Sequence, residues 1–308
     1  MTDLARAEAI LRETCGERVR AGVTIAPLTT FRLGGPAAIY LEPETPDDLR
    51  AVSRAHREAE VPVLVLGKGS NVLVADAGYP GIVLRLGRGF RWAAREGTRL
   101  SAGGAMPLPA LAGVAFTHGL AGLEFAIAIP ATVGGAVRMN AGAHGRSVSD
   151  ALEEADVLDL ATGESRTVPV AQAGFHYRRS DLGGEPVVTA ARFRLEPGDP
   201  AAIRRRMDEA RAWRRETQPL AEPNCGSVFK NPEGDHAARL VDAAGCKGWT
   251  EGGATVSPKH ANFIVAGRGA PSADVARLIL RVREAVRASA GVLLDPEVRL
   301  VGEFPPSP

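Results

Sequence analysis

The stretch Gly67-Lys68-Gly69-Ser70-Asn71-Val72-Leu73-Val74-Ala75-Asp76 limits the possible folds more than any other part of the chain. It follows the apolar run Val61 to Leu66, a strand by composition, and precedes the turn-like Ala77-Gly78-Tyr79-Pro80-Gly81. Glycines around a lysine suggest a phosphate cradle, yet two common architectures fail on spacing. A P-loop needs a longer gap between its glycines and Gly-Lys-Ser/Thr at its end, and a Rossmann fingerprint needs a third glycine. Both also place a helix directly after the glycines, with its N-terminus at the phosphate. Here only Val72 to Ala75 intervene before the next turn, too few residues for a useful helix. What remains is a tight strand-to-strand connection whose glycines leave backbone N–H groups uncovered, with Ser70 and Asn71 adding short donors. It reads as an anion-binding nest or as an ordinary glycine-rich turn.

A length of 308 residues suits two domains, or one large and one small, and 45% apolar content suffices for substantial cores. A net charge of +1 with 5% aromatics provides neither a basic field nor stacking platforms, so nucleic acid is not an expected partner. The start, Met1 to Arg6, lacks an apolar signal core, and the longest uncharged run, near Phe125 to Val137, is broken by Pro130, Gly134 and Gly135. No membrane insertion is expected. The three cysteines, Cys15, Cys225 and Cys246, are odd in number and widely spaced, which fits a reducing cytoplasm. With His236 and His260, Cys225 and Cys246 could be drawn as a zinc set, but no close pair anchors it and no metal is expected. Only four of the 37 basic residues are lysines: Lys68, Lys230, Lys247 and Lys259, all in Gly/Ser/Pro/Asn-rich loops. A compact ammonium suits phosphate where an arginine fork does not fit, although four residues can also share such settings by coincidence.

Thr45-Pro46-Asp47-Asp48 signals a helix start, followed by Leu49, Val52, His56 and Ala59 on one face. Val61 to Leu66 and Gly81 to Leu86 read as strands, and Pro107 to His118 as a helix stopped by Gly119. Ala155 to Leu160, Arg166 to Val170 and Val187 to Leu195 have strand character, with a hairpin turn at Ala161 to Glu164. Pro197-Gly198-Asp199-Pro200 marks a boundary before a helix bearing Ile203, Met207, Ala210 and Trp213 on one stripe. Beyond it come a strand near Asn262 to Ala266 and a helix from about Ser272 with Val275, Leu278, Ile279, Val282 and Val286 facing a core, ended by Gly291. No internal repeat is present, and the chain closes on the Pro-rich Phe304 to Pro308.

Gly122 to Gly142 is almost wholly small or apolar and carries no helical charge face. Backbone of this kind accepts close approach, by a flat ring such as a flavin or by neighbouring strands around a buried turn. Asn224-Cys225-Gly226-Ser227-Val228-Phe229-Lys230-Asn231-Pro232 gathers a hydroxyl, an ammonium and an amide. A serine there commonly bonds its own turn backbone, and no Gly-x-Ser-x-Gly elbow makes it a nucleophile, though it can still donate a proton. Tyr177-Arg178-Arg179-Ser180 and Leu294 to Leu300, with Glu297, are each explicable as surface features when taken alone.

In this order, the segments resemble the UDP-N-acetylenolpyruvoylglucosamine reductase family over nearly the whole chain: Thr30 to Gly35, Gly67 to Asp76, Gly122 to Gly142, Tyr177-Arg178, Gly226 to Pro232, Ala244 to Val265 and Pro296 to Arg299. The resemblance implies an α+β fold: a two-lobed FAD-binding region of p-cresol methylhydroxylase and vanillyl-alcohol oxidase type, then a smaller α+β substrate-binding domain. The expected limits are residues 1–198 for the FAD-binding region, with lobes of about 1–86 and 87–198. Residues 199–292 would form the substrate-binding domain, and 293–308 a C-terminal segment returning toward the FAD-binding region. It implies non-covalent FAD, NADPH as hydride donor, and reduction of UDP-N-acetylglucosamine enolpyruvate to UDP-N-acetylmuramate in the cytoplasm, with no obligate protein partner. The flavin nitrogen N5 would receive hydride and pass it to the vinyl carbon. The Gly67 loop would then cradle the FAD pyrophosphate.

By the same resemblance, Arg178 and Glu297 would stabilise the enolate-like intermediate and Ser227 would protonate it, the three meeting over the flavin. FAD would be held by Gly67, Lys68, Gly69, Ser70, Asn71, Gly122, Glu124, Ile129, Pro130, Thr132, Gly134, Gly135 and Ala136. Tyr177, Lys230, Asn231, Lys247 and His260 would contact the substrate. Two departures stand out. Relatives commonly show Gly-Ile-Pro-Gly where this chain has Ala128-Ile129-Pro130-Ala131, and the chain has no long tyrosine-bearing insertion to close over substrate, which places it in the shorter branch. Another FAD-dependent oxidoreductase of the same fold would keep the glycine motifs but need not keep Ser227, Arg178 and Glu297 together. A nucleotide-sugar-binding protein without redox chemistry would be colourless when pure.

Overall fold

The computed structural model describes residues 3–304; Met1, Thr2 and the tail Pro305 to Pro308 lie outside the described residues. The chain divides into two compact units, neither continuous in sequence. Met1–Ala21, Ala38–Lys68 and Gly81–Trp213 form the first, and Gly22–Ala37, Gly69–Pro80 and Arg214–Pro308 the second.

In the first unit, helix α1 (Leu4–Cys15) begins with the Asp3 carboxylate accepting the Arg6 N–H at 2.9 Å. Helix α2 (Pro46–Ala59) has the start its sequence announces: Thr45 Oγ accepts the Asp48 N–H at 3.2 Å while the Asp48 carboxylate accepts the Thr45 N–H at 3.0 Å. Leu49, Val52, Ala55 and Ala59 on α2 share a core with Ala7, Ile10 and Leu11 of α1 and with Ile39, Leu41, Ile82 and Leu84. The strand expected over Val61 to Leu66 is confined to Val63–Val65, since Pro62 has no N–H to enter a ladder. It runs parallel to Tyr79–Leu84, with Val63 opposite Ile82.

A five-stranded antiparallel sheet supplies the rest of this unit, in the order Ser165–Pro169, Leu152–Asp159, Pro186–Arg194, Arg99–Gly103, Ala93–Glu96. Alternate residues on one face, among them Leu100, Ala155 and Phe193, form a second core with Leu111 and Ala115 of helix α3 (Leu108–Thr117) and Val133 and Val137 of helix α4 (Val133–Arg138). The other face carries a lattice of ion pairs, Arg99 to Glu153 and Glu154, Arg192 to Glu154 and Asp156. Helix α5 (Pro200–Thr217) contributes Ile203 and Met207 to this core. Trp213, expected on the same stripe, is instead 47% exposed and meets the edge of His144, ring centroids 5.1 Å apart. The division between units falls within α5, after Trp213, whereas the composition break at Pro197 to Pro200 precedes the helix.

The second unit contains helix α6 (Ala237–Ala243), helix α7 (Ser272–Ala290) and a three-stranded sheet ordered Thr250–Glu251, Ala254–Val256, Ile264–Ala266. The expected face of α7, Val275, Leu278, Ile279, Val282 and Val286, is buried in one core with Phe31, Leu73, Val228 and Phe229. Gly291 ends the helix at φ +70°, its N–H donating to the Arg287 carbonyl. Near the C-terminus Arg299–Val301 pairs in parallel with Val72–Val74, the strand that follows the Gly67 loop. All three cysteines are free and buried.

Candidate active site

The loop after Val63–Val65 leads into the strand Val72–Val74 with no helix, as its spacing requires. Among the described residues none accepts a hydrogen bond from the backbone N–H groups of Gly67, Lys68, Gly69, Ser70 or Asn71. Gly69 is buried and Gly67, Ser70 and Asn71 are half-buried, so these donors are withdrawn from bulk water yet unused by the protein. Consecutive donors of this kind fit an anion. The loop is also closely packed: a Cβ on Gly69, at φ +65°, would lie 2.3 Å from the Leu28 carbonyl oxygen, and one on Gly67 would lie 2.7 Å from Thr132 Oγ. The side chain of Asn71 is committed to the Glu297 carbonyl at 3.1 Å, and Lys68 is exposed.

Gly122 to Gly142 is more regular than its composition indicates, holding a 3₁₀ turn over Glu124–Ala128 and then α4. The first three N–H groups of α4 are already used: Val133 donates to Met106 O at 2.8 Å, Gly134 to Gly104 O at 2.9 Å and Gly135 to Thr132 Oγ at 3.3 Å. Free donors for a phosphate therefore belong to the Gly67 loop and not to this helix end. A side chain at Gly134 would press within 2.9 Å of the Val188 carbonyl oxygen. Glu124 is occupied structurally, accepting the Gly122 N–H at 2.8 Å and Arg206 at 3.1 Å. Ala128 is buried and Ala131 packs against the core, so both methyl groups are accommodated. Ile129 and Ala131 flank a tight turn around Pro130, closed by the Ala131 N–H on Ile129 O at 2.9 Å, and the Ala131 carbonyl accepts the Leu108 N–H at 2.9 Å. Ala136 is fully buried.

The C-terminal end of α4 holds the Tyr177-Arg178 turn. His176 and Arg179 exchange both backbone bonds, at 2.9 and 3.1 Å, leaving Tyr177 and Arg178 as a two-residue loop with Arg178 at φ +55°. That left-handed backbone is unusual for arginine and directs its guanidinium to the Gly142 carbonyl, with Nη2 donating at 3.0 Å. Two residues missed by the sequence reading lock the turn. Buried Asn140 donates to the His176 carbonyl at 3.1 Å and accepts the Ser149 N–H at 3.1 Å, and Arg138 donates to the Ser180 carbonyl at 2.8 Å. Tyr177 is 55% exposed, with the Arg178 guanidinium 5.2 Å from its ring centre.

Ser227 and Glu297 are brought together in the second unit, while Arg178 belongs to the first. The Glu297 N–H donates to the Val228 carbonyl at 2.8 Å and the Lys230 N–H to the Asp295 carbonyl at 2.9 Å, so 228–230 and 295–297 lie side by side. The Ser227 hydroxyl, half-buried after Gly226 at φ +81°, bonds no other described residue, its own turn included. Burial pushes the Cys225 thiol well above its usual range, and the Glu297 charge adds to the effect. Burial likewise lowers His260, helped by the charge of Lys247, and His260 Nδ1 accepts the Asn262 N–H at 3.2 Å, leaving Nε2 to carry the proton of a neutral imidazole. Lys230 pairs with Asp295 at 2.6 Å and Lys247 with Asp242 at 2.9 Å, while Asn231 accepts the Ala237 N–H at 3.0 Å at the start of α6.

Among the described residues no helix is long and apolar enough to cross a membrane, and no cluster of His, Cys, Asp and Glu could hold a metal. Residues 37–168 match the family model described as FAD binding domain, and residues 218–301 the one described as UDP-N-acetylenolpyruvoylglucosamine reductase, C-terminal domain. The UDP-N-acetylenolpyruvoylglucosamine reductase of Bradyrhizobium sp. (strain ORS 278) is 46% identical over 286 residues, 92% of each chain. Its counterpart from Anaeromyxobacter sp. (strain Fw109-5) is 46% identical over 300 residues, 97% of this chain and 93% of that one. The crystal structure of the Thermus caldophilus reductase aligns with a TM-score of 0.82 at 36% identity, covering 92% of this chain and 99% of that one. Berberine bridge enzyme aligns at TM-score 0.51 and 12% identity over 63% of this chain and 44% of its own, a likeness of fold alone.

Proposed function

The chain belongs to the UDP-N-acetylenolpyruvoylglucosamine reductase family, and we propose on that premise how its own residues reduce the enolpyruvyl group of UDP-N-acetylglucosamine enolpyruvate to give UDP-N-acetylmuramate for peptidoglycan. FAD, when bound, would supply two-electron chemistry between NADPH and the terminal vinyl carbon. The unbonded N–H groups of Gly67 to Asn71 would hold its pyrophosphate, and the tight backbone of Gly122, Ile129, Pro130, Thr132, Gly134 and Gly135 would receive the ring, whereas Ala136, fully buried, has no surface to offer it.

Adding an electron pair at the terminal carbon leaves negative charge on its neighbour, spread into the adjoining carboxylate. Arg178 offsets that charge as it develops, and its strained, twice-anchored turn means little rearrangement accompanies the reaction. Glu297, on the segment held beside Val228, supplies a second polar group to the same intermediate. Ser227 gives its hydroxyl proton to the carbon beside the carboxylate and recovers one from solvent. A serine is a weak acid, so this step requires a strongly basic carbanion and a site from which water is excluded. Lys230, Lys247, Asn231, His260 and Tyr177 hold the nucleotide; the two lysines exchange Asp295 and Asp242 for its diphosphate. The substrates are small molecules, the chemistry calls for no protein partner, and its NADPH supply places it in the cytoplasm.

The observation that carries the assignment is the Ser227 hydroxyl, kept out of the turn bond that a Gly-Ser sequence ordinarily makes and set beside the Glu297 segment. Anaerobic rapid mixing tests it. In Ser227→Ala, NADPH should bleach the flavin absorbance at the parent rate, while recolouring by the enolpyruvyl nucleotide slows by about 100-fold or more. Equal damage to both halves would contradict the role.

A further inference from the structure

Asn262 is 3% exposed, and its polar atoms are turned on the segment that carries Ser227. Oδ1 accepts the Phe229 N–H at 2.9 Å, Nδ2 donates to the Phe229 carbonyl at 2.8 Å, and the Asn262 carbonyl accepts the Val228 N–H at 2.9 Å. An antiparallel neighbour makes the same paired exchange with a single residue of a ladder. One primary amide thus replaces a strand on this edge, and 295–297 occupies the other, where Glu297 bonds the Val228 carbonyl. Ser227 precedes this doubly held pair and follows Gly226, whose N–H donates to Asn224 Oδ1 at 2.9 Å. The backbone that carries its hydroxyl is therefore held on its C-terminal side by Asn262 and by 295–297.

We infer that Asn262 is a positioning residue for Ser227, acting through Val228 and Phe229 without touching substrate. The inference rests on the reading of Ser227 as proton donor, and its test separates the two. Asn262→Asp keeps the size and the acceptor for the Phe229 N–H but turns an oxygen against the Phe229 carbonyl. In the holoenzyme, bleaching by NADPH should stay within about twofold of the parent, and recolouring by the enolpyruvyl nucleotide should slow by about 10- to 100-fold with little change in KM. Lowering the pH, which protonates the introduced carboxyl and returns a donor to that carbonyl, should recover part of the rate. Amide hydrogen exchange at Val228 and Phe229 should rise in the variant, independently of turnover.

A merely structural role would slow both halves and lower flavin content together, and that result overturns the inference. So does unchanged recolouring in a variant set beside a slow Ser227→Ala. If Ser227→Ala itself recolours at the parent rate, the assignment of Ser227 fails, and the exchange data still decide whether Asn262 is the clamp. Should Asn262→Asp not fold, Asn262→Ser removes both side-chain contacts without a charge and should show the same kinetic split and the same rise in exchange, with no recovery at low pH.

Discussion

Replacing Gly69 by alanine should weaken FAD binding by at least about 100-fold while leaving the protein folded. The added Cβ would lie 2.3 Å from the Leu28 carbonyl oxygen and 2.7 Å from Thr29 Cα, both main-chain atoms that no rotamer change can move. Ordinary contact begins at about 3.5 Å, so the loop or the 28–30 turn must shift by roughly 1 Å. The Thr30 N–H on the Gly69 carbonyl, at 3.0 Å, ties the two together and passes the shift along the cradle. Alanine at φ +65° adds about 1–2 kcal/mol of backbone strain. A charged hydrogen bond is worth about 1.5–3 kcal/mol, so misaligning two of the five donors removes about 3–6 kcal/mol, or about two to four decades of affinity. Titration of apoprotein with FAD, followed by flavin fluorescence, reads the effect directly. Gly291→Ala is the control, since Gly291 also has φ +70° but nothing within 4 Å of an added Cβ. It should lose about 1–2 kcal/mol of stability with FAD affinity unchanged. A folded Gly69→Ala protein that binds FAD within threefold of the parent would refute the placement of the pyrophosphate.

Arg178→Gly should be more stable to urea than Arg178→Ala by about 1 kcal/mol, because only glycine relieves the left-handed backbone, and both should lose enolpyruvyl reduction; equal stability would mean the turn stores no strain. Asp48 governs acid stability in the first unit. Burial alone would raise its pKa, but Arg18 at 2.6 and 2.7 Å, the N–H groups of Glu44 and Thr45 and the Cys15 thiol outweigh burial and hold the carboxyl well below its usual range. The stabilisation is thus complete above the unfolded pKa of about 4 and fades as pH falls toward the folded value. In urea melts at stepped pH, Asp48→Asn should cost about 2 kcal/mol at neutrality, with the gap to the parent shrinking below about pH 4. A gap independent of pH would rule out the ionised carboxylate as its source.

Local chemistry made α2 legible: Thr45-Pro46-Asp47-Asp48 names its own start, and Leu49, Val52 and Ala59 keep helical spacing. Helix α4 was hidden because Gly134 and Gly135 oppose helix formation, and what sustains it is tertiary, the bonds of Val133 and Gly134 to Met106 and Gly104. Thr132 was the available signal, its hydroxyl accepting the Gly135 N–H three residues on. Trp213 kept its place on the periodic stripe but not its burial, since it lies near the end of α5 beside His144. The glycine loops declared close approach without saying by what, and only the unbonded N–H groups favour an anion over a plain turn. Nothing in an arginine announces φ +55°, and an asparagine that imitates a strand looks like any loop asparagine, so Arg178's geometry, Asn140 and Asn262 emerged only from the fold.

The central claim is that a proton from the Ser227 hydroxyl, exchangeable with solvent, reaches the carbon beside the substrate carboxylate. Turnover in deuterium oxide with product analysis by NMR tests it. Deuterium should appear at that carbon in a single configuration, and its rate of entry should fall by about 100-fold or more in Ser227→Ala. Hydrogen from NADPH at that carbon, or deuterium entering the variant's product at the parent rate, would contradict the account.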